Sequence, residues 1–195
     1  MDARNNLFPV FLKLESLHTL LVGGGNVGLE KLSALLKSSP AARVTIVAGF
    51  IRDEVKALAA ANAGVHLVER NFRDSDLAGK DLAVLATDDP SLHHHIRALA
   101  REKNMLINVA DTPDLCDFYL GSVVTRGNLK IGISTNGKSP TMAKRIREYL
   151  EETLPEEIND LLNNLHTVRS KMKGDFAEKV KLLNELTESW LKKTP

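Results

Sequence analysis

The chain has 195 residues, and its 26 Lys and Arg against 25 Asp and Glu leave a formal net charge of +1. With 43% hydrophobic and 26% charged residues it has the mixture of a globular protein, which excludes a disordered polyanion and gives no global reason to expect a nucleic-acid partner. Its single cysteine, Cys116, excludes an intramolecular disulfide and a zinc–cysteine cluster, no apolar run approaches the ~18–20 residues of a membrane span, and Met1 to Phe11 lacks the layout of a signal peptide, so a cytoplasmic protein is expected.

Short apolar runs alternate with helical patterns over the first half. Phe8–Leu14 is a candidate edge strand. Thr19–Val22 is apolar and runs into Gly23-Gly24-Gly25-Asn26-Val27-Gly28, after which Leu29–Lys37 reads as a helix with Leu32, Leu35 and Leu36 on one face. Val44–Val47 is a β-branched strand, Asp53–Asn62 a helix closed by a turn around Gly64, and Val65–Val68 and Leu82–Ala86 are further strands. Asp89-Pro90 supplies an N-cap and a first-turn proline for a helix reaching about Asn104, and Leu106–Val109 is a fifth strand. Such alternation predicts an α/β fold with a Rossmann-type parallel sheet, over residues 1–113. Past Pro113 the pattern changes. Ser122–Thr125 and Leu129–Ser134 flank Arg126-Gly127-Asn128 as a hairpin, and Ser139-Pro140 opens a helix. Beyond Pro155 two apolar stripes recur at helical spacing, one from Ile158 to Met172 and one from Phe176 to Trp190. They suit a core or a subunit interface.

Gly23-x-Gly25-x-x-Gly28 lies between a strand and a helix, the context that gives this pattern meaning. Gly23 permits the tight turn, Gly25 lets the backbone approach a pyrophosphate, and Gly28 lets the helix pack close to the strand. Free amides at the helix N-terminus, here at Asn26 and Val27, favour phosphate. Dinucleotide binding is therefore expected, with a tight packing turn as the alternative. The acid that NAD sites usually carry at the end of the second strand is missing from Val47-Ala48-Gly49-Phe50, so backbone around Gly49 and Phe50 is the candidate for the adenosine end, and NAD and NADP are not distinguished. Thr87 and Asp88 follow the fourth strand, on the same side. Asp111 follows the fifth, where a carboxylate beside a nicotinamide can serve as general base; a turn-forming Asp before Thr112-Pro113 is the alternative.

From Phe118 to Arg147 there is no Asp or Glu, while Arg126, Lys130, Lys138, Lys144, Arg145 and Arg147 give a local charge of +6. A field of one sign concentrates anionic ligands, and the amides after Ser139 add another anion site. A solvated basic face is the alternative. Nucleic acid fits poorly, because aromatic residues are not interleaved. Three successive histidines, His93-His94-His95, point about 100° apart on a helix and cannot share one metal ion.

On these residues the chain resembles the precorrin-2 dehydrogenase family, the NAD-dependent module of siroheme synthases. The shared motifs run in order along nearly the whole length: Phe8-Pro9-Val10-Phe11-Leu12, Gly23–Lys31, Ala86-Thr87-Asp88-Asp89, Asn108-Val109-Ala110-Asp111, and Ile133–Pro140. The resemblance implies a Rossmann domain, a dimerisation and substrate-binding region over residues 114–147 and a C-terminal helical module over 148–195, working as a homodimer. It implies oxidation of precorrin-2 to sirohydrochlorin with NAD as hydride acceptor and Asp111 as the catalytic aspartate. Some members also insert ferrous iron. Precorrin-2 bears eight carboxylates, which gives Arg126, Lys130, Lys138, Lys144 and Arg145 a polyanionic substrate, with Thr135 and Ser139 as hydroxyl partners. The chain departs from the family at Gly28, usually Ala, at Gly49-Phe50, often Pro-Glu, and at Thr135, a serine in some members. Its length also leaves no room for the methyltransferase domain fused to some relatives. A non-enzymatic dinucleotide sensor is the rival reading.

Overall fold

The computed structural model describes residues 4–172 and 175–191, with the side chains of residues 189–191 excepted. The chain divides into two compact units, residues 1–121 with 135–138, and residues 122–134 with 139–195.

In the first unit, β1 (His18–Gly24), β2 (Arg43–Ile51), β3 (Val65–Glu69), β4 (Leu82–Leu85) and β5 (Leu106–Val109) form one sheet in the order β3-β2-β1-β4-β5, every pair parallel. β1 is buried on both faces, which explains its uninterrupted apolar run. Alternate side chains feed two cores. Leu21, Val44, Ile46 and Val84 meet Leu32, Leu35 and Leu36 of α1 (Asn26–Ser38) and Val55 of α2 (Asp53–Ala60). Leu20, Val22, Leu85 and Ile107 meet Ile96 and Ala100 of α3 (Pro90–Glu102) on the other face. Strand order reverses between β1 and β4, the position at which open α/β sheets bind ligands. The Asp89 cap accepts from the Leu92 amide at 3.0 Å, as its sequence predicts.

Phe8–Leu14 forms no strand, and the sheet ends at β3 and β5. Pro9 cannot donate to a ladder. Phe8 and Phe11 are 86% and 70% exposed, and only Leu14 is buried, its carbonyl accepting from the Arg43 amide at 3.2 Å.

Asp117 fixes the chain leaving β5. Its carboxylate takes both arms of the Arg97 guanidinium on α3 and the Ile107 amide at 3.0 Å. Arg97 holds the carboxyl below its usual range. Asp117→Ala leaves a guanidinium whose side chain is only 11% exposed without a partner, and urea unfolding should record a loss of roughly 2–3 kcal/mol. Because the native pKa is depressed, this contribution is present above the usual carboxylate value and lost as pH falls through the native one. A variant as stable as wild type would contradict the assignment.

In the second unit, β6 (Ser122–Arg126) and β7 (Leu129–Ile133) form an antiparallel hairpin with Gly127 at φ +56. α4 (Pro140–Thr153) starts at Ser139, whose hydroxyl accepts from the Met142 amide at 3.1 Å. α5 (Ile158–Lys171) is tied to the hairpin tip, Asn159 accepting from the Asn128 amide at 2.9 Å. Of the two stripes on α5 and α6 (Phe176–Leu191), Ile158 is buried, whereas Phe176 and Leu186 are 74% and 52% exposed; the Trp190 side chain lies outside the described residues. Among the described residues, no helix is long and apolar enough to cross a membrane.

Candidate functional site

The carboxyl ends of the strands open on a cleft of about 1000 Å³, within the first unit. Its wall comprises Gly23 to Val27 after β1, Gly49 and Phe50 on β2, Asn71 and Phe72 after β3, Thr87 to Asp89 after β4, and Asp111 and Thr112 after β5. Gly23, Gly25, Asn26, Val27, Gly49, Phe50, Thr87, Asp88 and Asp111, all expected from the sequence, are brought together here. Gly28 is not. It packs α1 onto β1, so closely that an added Cβ would stand 2.2 Å from the Gly23 carbonyl oxygen.

Gly25 differs from its neighbours. A Cβ there would meet no atom within 4 Å, so its backbone faces open space. It is the N-cap of α1, with no side-chain cap and no acid in the first turn. The first amides of a 13-residue helix are thus left for an anion. This arrangement fits the pyrophosphate of a dinucleotide.

Asp111 sits at φ +56, a left-handed conformation that Asp adopts more readily than most residues. The β5 end beneath it is held by Ala110 donating to Leu85 O at 2.9 Å and by Asn108, whose amide donates to Phe118 O at 2.8 Å. Cys116 is part of the same support. Its Sγ accepts from the Val109 amide at 3.2 Å, and burial pushes the thiol up. It packs rather than reacts.

The three histidines diverge as their spacing requires. His95 meets Asp74 at 2.7 Å, His94 is exposed, and His93 is buried against the cleft with its Nε2 2.8 Å from the Thr87 hydroxyl. Burial lowers the His93 pKa against the pull of Asp89 and Asp88. Neutral imidazole therefore sets the Thr87 hydroxyl. Dinucleotide affinity should be constant above the ordinary histidine value of about 6.5 and fall as pH drops through the depressed native value. Stability follows the same sign, since the unfolded chain then binds the additional proton. Titrations from pH 5 to 8 with wild type and His93→Gln check this; an unchanged slope in the variant would exclude His93 as its source.

The basic stretch is less uniform than its sequence suggests. Arg126 is half-buried and donates to the Glu151 carbonyl; Arg147 pairs with Glu151 and Glu148, and Lys144 lies 3.8 Å from Glu148. Lys138 and Arg145 make no ion pair among the described residues and are exposed. Lys130 is half-buried. Thr135 and Lys138 bound a turn in which Asn136 and Gly137 both have positive φ, closed by the Lys138 amide on Thr135 O at 3.0 Å. Sequence reasoning missed Asn71, Phe72 and the role of His93. Asn71 lies two residues past β3, so the strand-end rule that picked out Thr87 and Asp111 would have reached it.

Comparison with known proteins agrees with this geometry. The NAD(P)-binding family model NAD_binding_7 matches residues 10–122, and a model for the sirohaem biosynthesis protein central region matches residues 126–153. A siroheme synthase of Psychrobacter arcticus is 35% identical over 185 residues, 95% of this chain and 32% of the relative. One of Thioalkalivibrio sulfidiphilus is 38% identical over 169 residues, 87% of this chain and 34% of the relative. The chain thus spans about a third of the length of these curated relatives. Among solved structures, "SirC, precorrin-2 dehydrogenase" superposes with a TM-score of 0.72 at 23% identity, covering 92% of this chain and 89% of that one, which establishes a shared fold. With its model matched across the five-stranded sheet and the cleft, the chain belongs to the NAD_binding_7 family of NAD(P)-binding proteins.

Proposed function

We propose that this chain oxidises precorrin-2 to sirohydrochlorin with NAD as the acceptor. One observation carries the proposal: a single cleft joins the uncapped N-terminus of α1, behind Gly25, to the carboxylate of Asp111. Similarity to siroheme synthases and to the fold of a precorrin-2 dehydrogenase supports the choice of substrate.

The substrate loses two electrons and two hydrogens, one as hydride and one as a proton. When bound, NAD supplies the electron sink by taking up the hydride. The amides of Asn26 and Val27 hold the pyrophosphate, and Thr87, set by His93, and Asp88 orient the ring end. The Asp111 carboxylate accepts the proton on an oxygen and passes it to solvent. For the substrate carboxylates, Lys138 and Arg145 are the strongest candidates because no ion pair engages them among the described residues. Lys130, Lys144, Thr135 and Ser139 are secondary, and Arg126 is assigned mainly to holding the end of α4.

The protein is proposed to work as a homodimer. A two-stranded sheet is marginal alone, and α4 exposes Met142, Ile146 and Tyr149 at helical spacing. We propose the cytoplasm, a reducing compartment, as the site of the reaction, in keeping with the single cysteine of the chain.

Anaerobic absorbance during incubation with enzymatically generated precorrin-2 and NAD tests the proposal. An NAD-dependent sirohydrochlorin spectrum is expected. Ferrous iron added afterwards is proposed as a further substrate, read as siroheme forming above the spontaneous rate. NAD binding without oxidation would leave a dinucleotide sensor as the better account.

A further inference from the structure

NAD-binding sheets usually carry an acid at the end of the second strand, where it accepts the ribose hydroxyls and repels a 2′-phosphate. Here β2 runs out through Ala48, Gly49 and Phe50. The position is not merely short of an acid. A Cβ on Gly49 would lie 2.5 Å from Oδ1 of Asn71, so the space beside Gly49 is already filled by a side chain from the segment that follows the neighbouring strand. β3 pairs with β2 through Ala48 and Glu69, and Asn71 follows two residues later.

Asn71 is held in place. Arg70 donates to the Asn71 carbonyl at 2.9 Å and grips Asp76 at 2.8 and 2.6 Å; Asp76 also accepts from the Arg73 amide at 2.8 Å. The side-chain amide of Asn71 lines the cleft and has no hydrogen-bond partner among the described residues. Among the described residues, no carboxylate joins Gly49, Phe50, Asn71 and Phe72 on the cleft wall at this end. Nearby acids are engaged elsewhere, Glu54 by Arg52 at 2.6 Å and Glu69 by Lys56 at 2.9 Å.

We infer that the Asn71 amide takes the place of the strand-end acid in reading the adenosine ribose, and that the site accepts NADP alongside NAD because this group is neutral. An amide offers an acceptor to a 2′-hydroxyl and donors to phosphate oxygens, whereas a carboxylate offers acceptors alone. The inference rests on the proposed dinucleotide role of the cleft.

Calorimetric titration of the full chain with NAD and with NADP, without tetrapyrrole, tests it. In wild type the two affinities should agree within about tenfold, since a neutral amide makes net hydrogen bonds of similar worth to either group. Asn71→Asp should weaken NADP by about 100-fold through like-charge contact while NAD is retained. Asn71→Ala should weaken both, with thermal unfolding unchanged. An NAD-to-NADP ratio that Asn71→Asp does not move, or a wild type blind to NADP, would overturn the inference and leave the cleft's assignment standing. Failure of wild type to bind either dinucleotide would overturn both.

Discussion

Asp111→Asn is expected to lower precorrin-2 turnover by about 10²–10⁴-fold with NAD affinity within about twofold of wild type. Asparagine matches aspartate in size but has no basic oxygen to receive the proton. It is also the substitution that the backbone tolerates. At φ +56 an alanine would add strain of roughly 1 kcal/mol, whereas Asn, like Asp, enters this region with local hydrogen bonding. Asp111 is exposed at the cleft, so its loss opens no cavity. Sirohydrochlorin absorbance gives the rate and calorimetry the affinity. Retention of most activity would remove Asp111 from the chemistry and turn attention to Asp88, another carboxylate on the cleft wall.

Much of this architecture was legible because burial on both faces leaves a strand no choice of residue. Leu82–Ala86 reads as an unbroken apolar run and Val44–Val47 as a β-branched strand, and both mark parallel strands of the sheet. Asp89-Pro90 and Ser139-Pro140 were equally readable, since each cap is a local bond between neighbours in sequence. Features that depend on distant partners were not. Phe8–Leu14 has strand composition, yet no sheet edge receives it. The acid-free stretch looked like one basic field, but Glu148 and Glu151 lie just beyond its end and reach back one helical turn to Lys144 and Arg147. Asn71 meets Gly49 only because β3 pairs with β2, and no periodicity in the sequence announces that register. Gly28 is instructive too. There α1 approaches β1 too closely for an added methyl, a contact set by packing between two elements.

Gly23→Ala and Gly25→Ala should part company, and together they separate packing from ligand binding. Gly23 lies at φ +117, outside the conformations L residues favour, and an added Cβ would stand 2.5 Å from Ala86 O. Neither side can yield. The Ala86 amide donates to Val22 O at 2.8 Å, tying that backbone to β1, and Gly28 presses α1 against the Gly23 carbonyl. Backbone strain and overpacking each cost roughly 1–3 kcal/mol, so Gly23→Ala should lose about 3–5 kcal/mol in urea unfolding and all measurable dinucleotide binding. Gly25 has an ordinary φ of −83 and open space at its Cβ. Its alanine variant should unfold within about 0.5 kcal/mol of wild type. The methyl nevertheless enters the space before the α1 amides, where the pyrophosphate must come close, and NAD affinity should fall by about 10–100-fold, the range expected for a displaced charged hydrogen-bond partner. Unaltered NAD binding in Gly25→Ala would mean that the glycine turn serves packing alone.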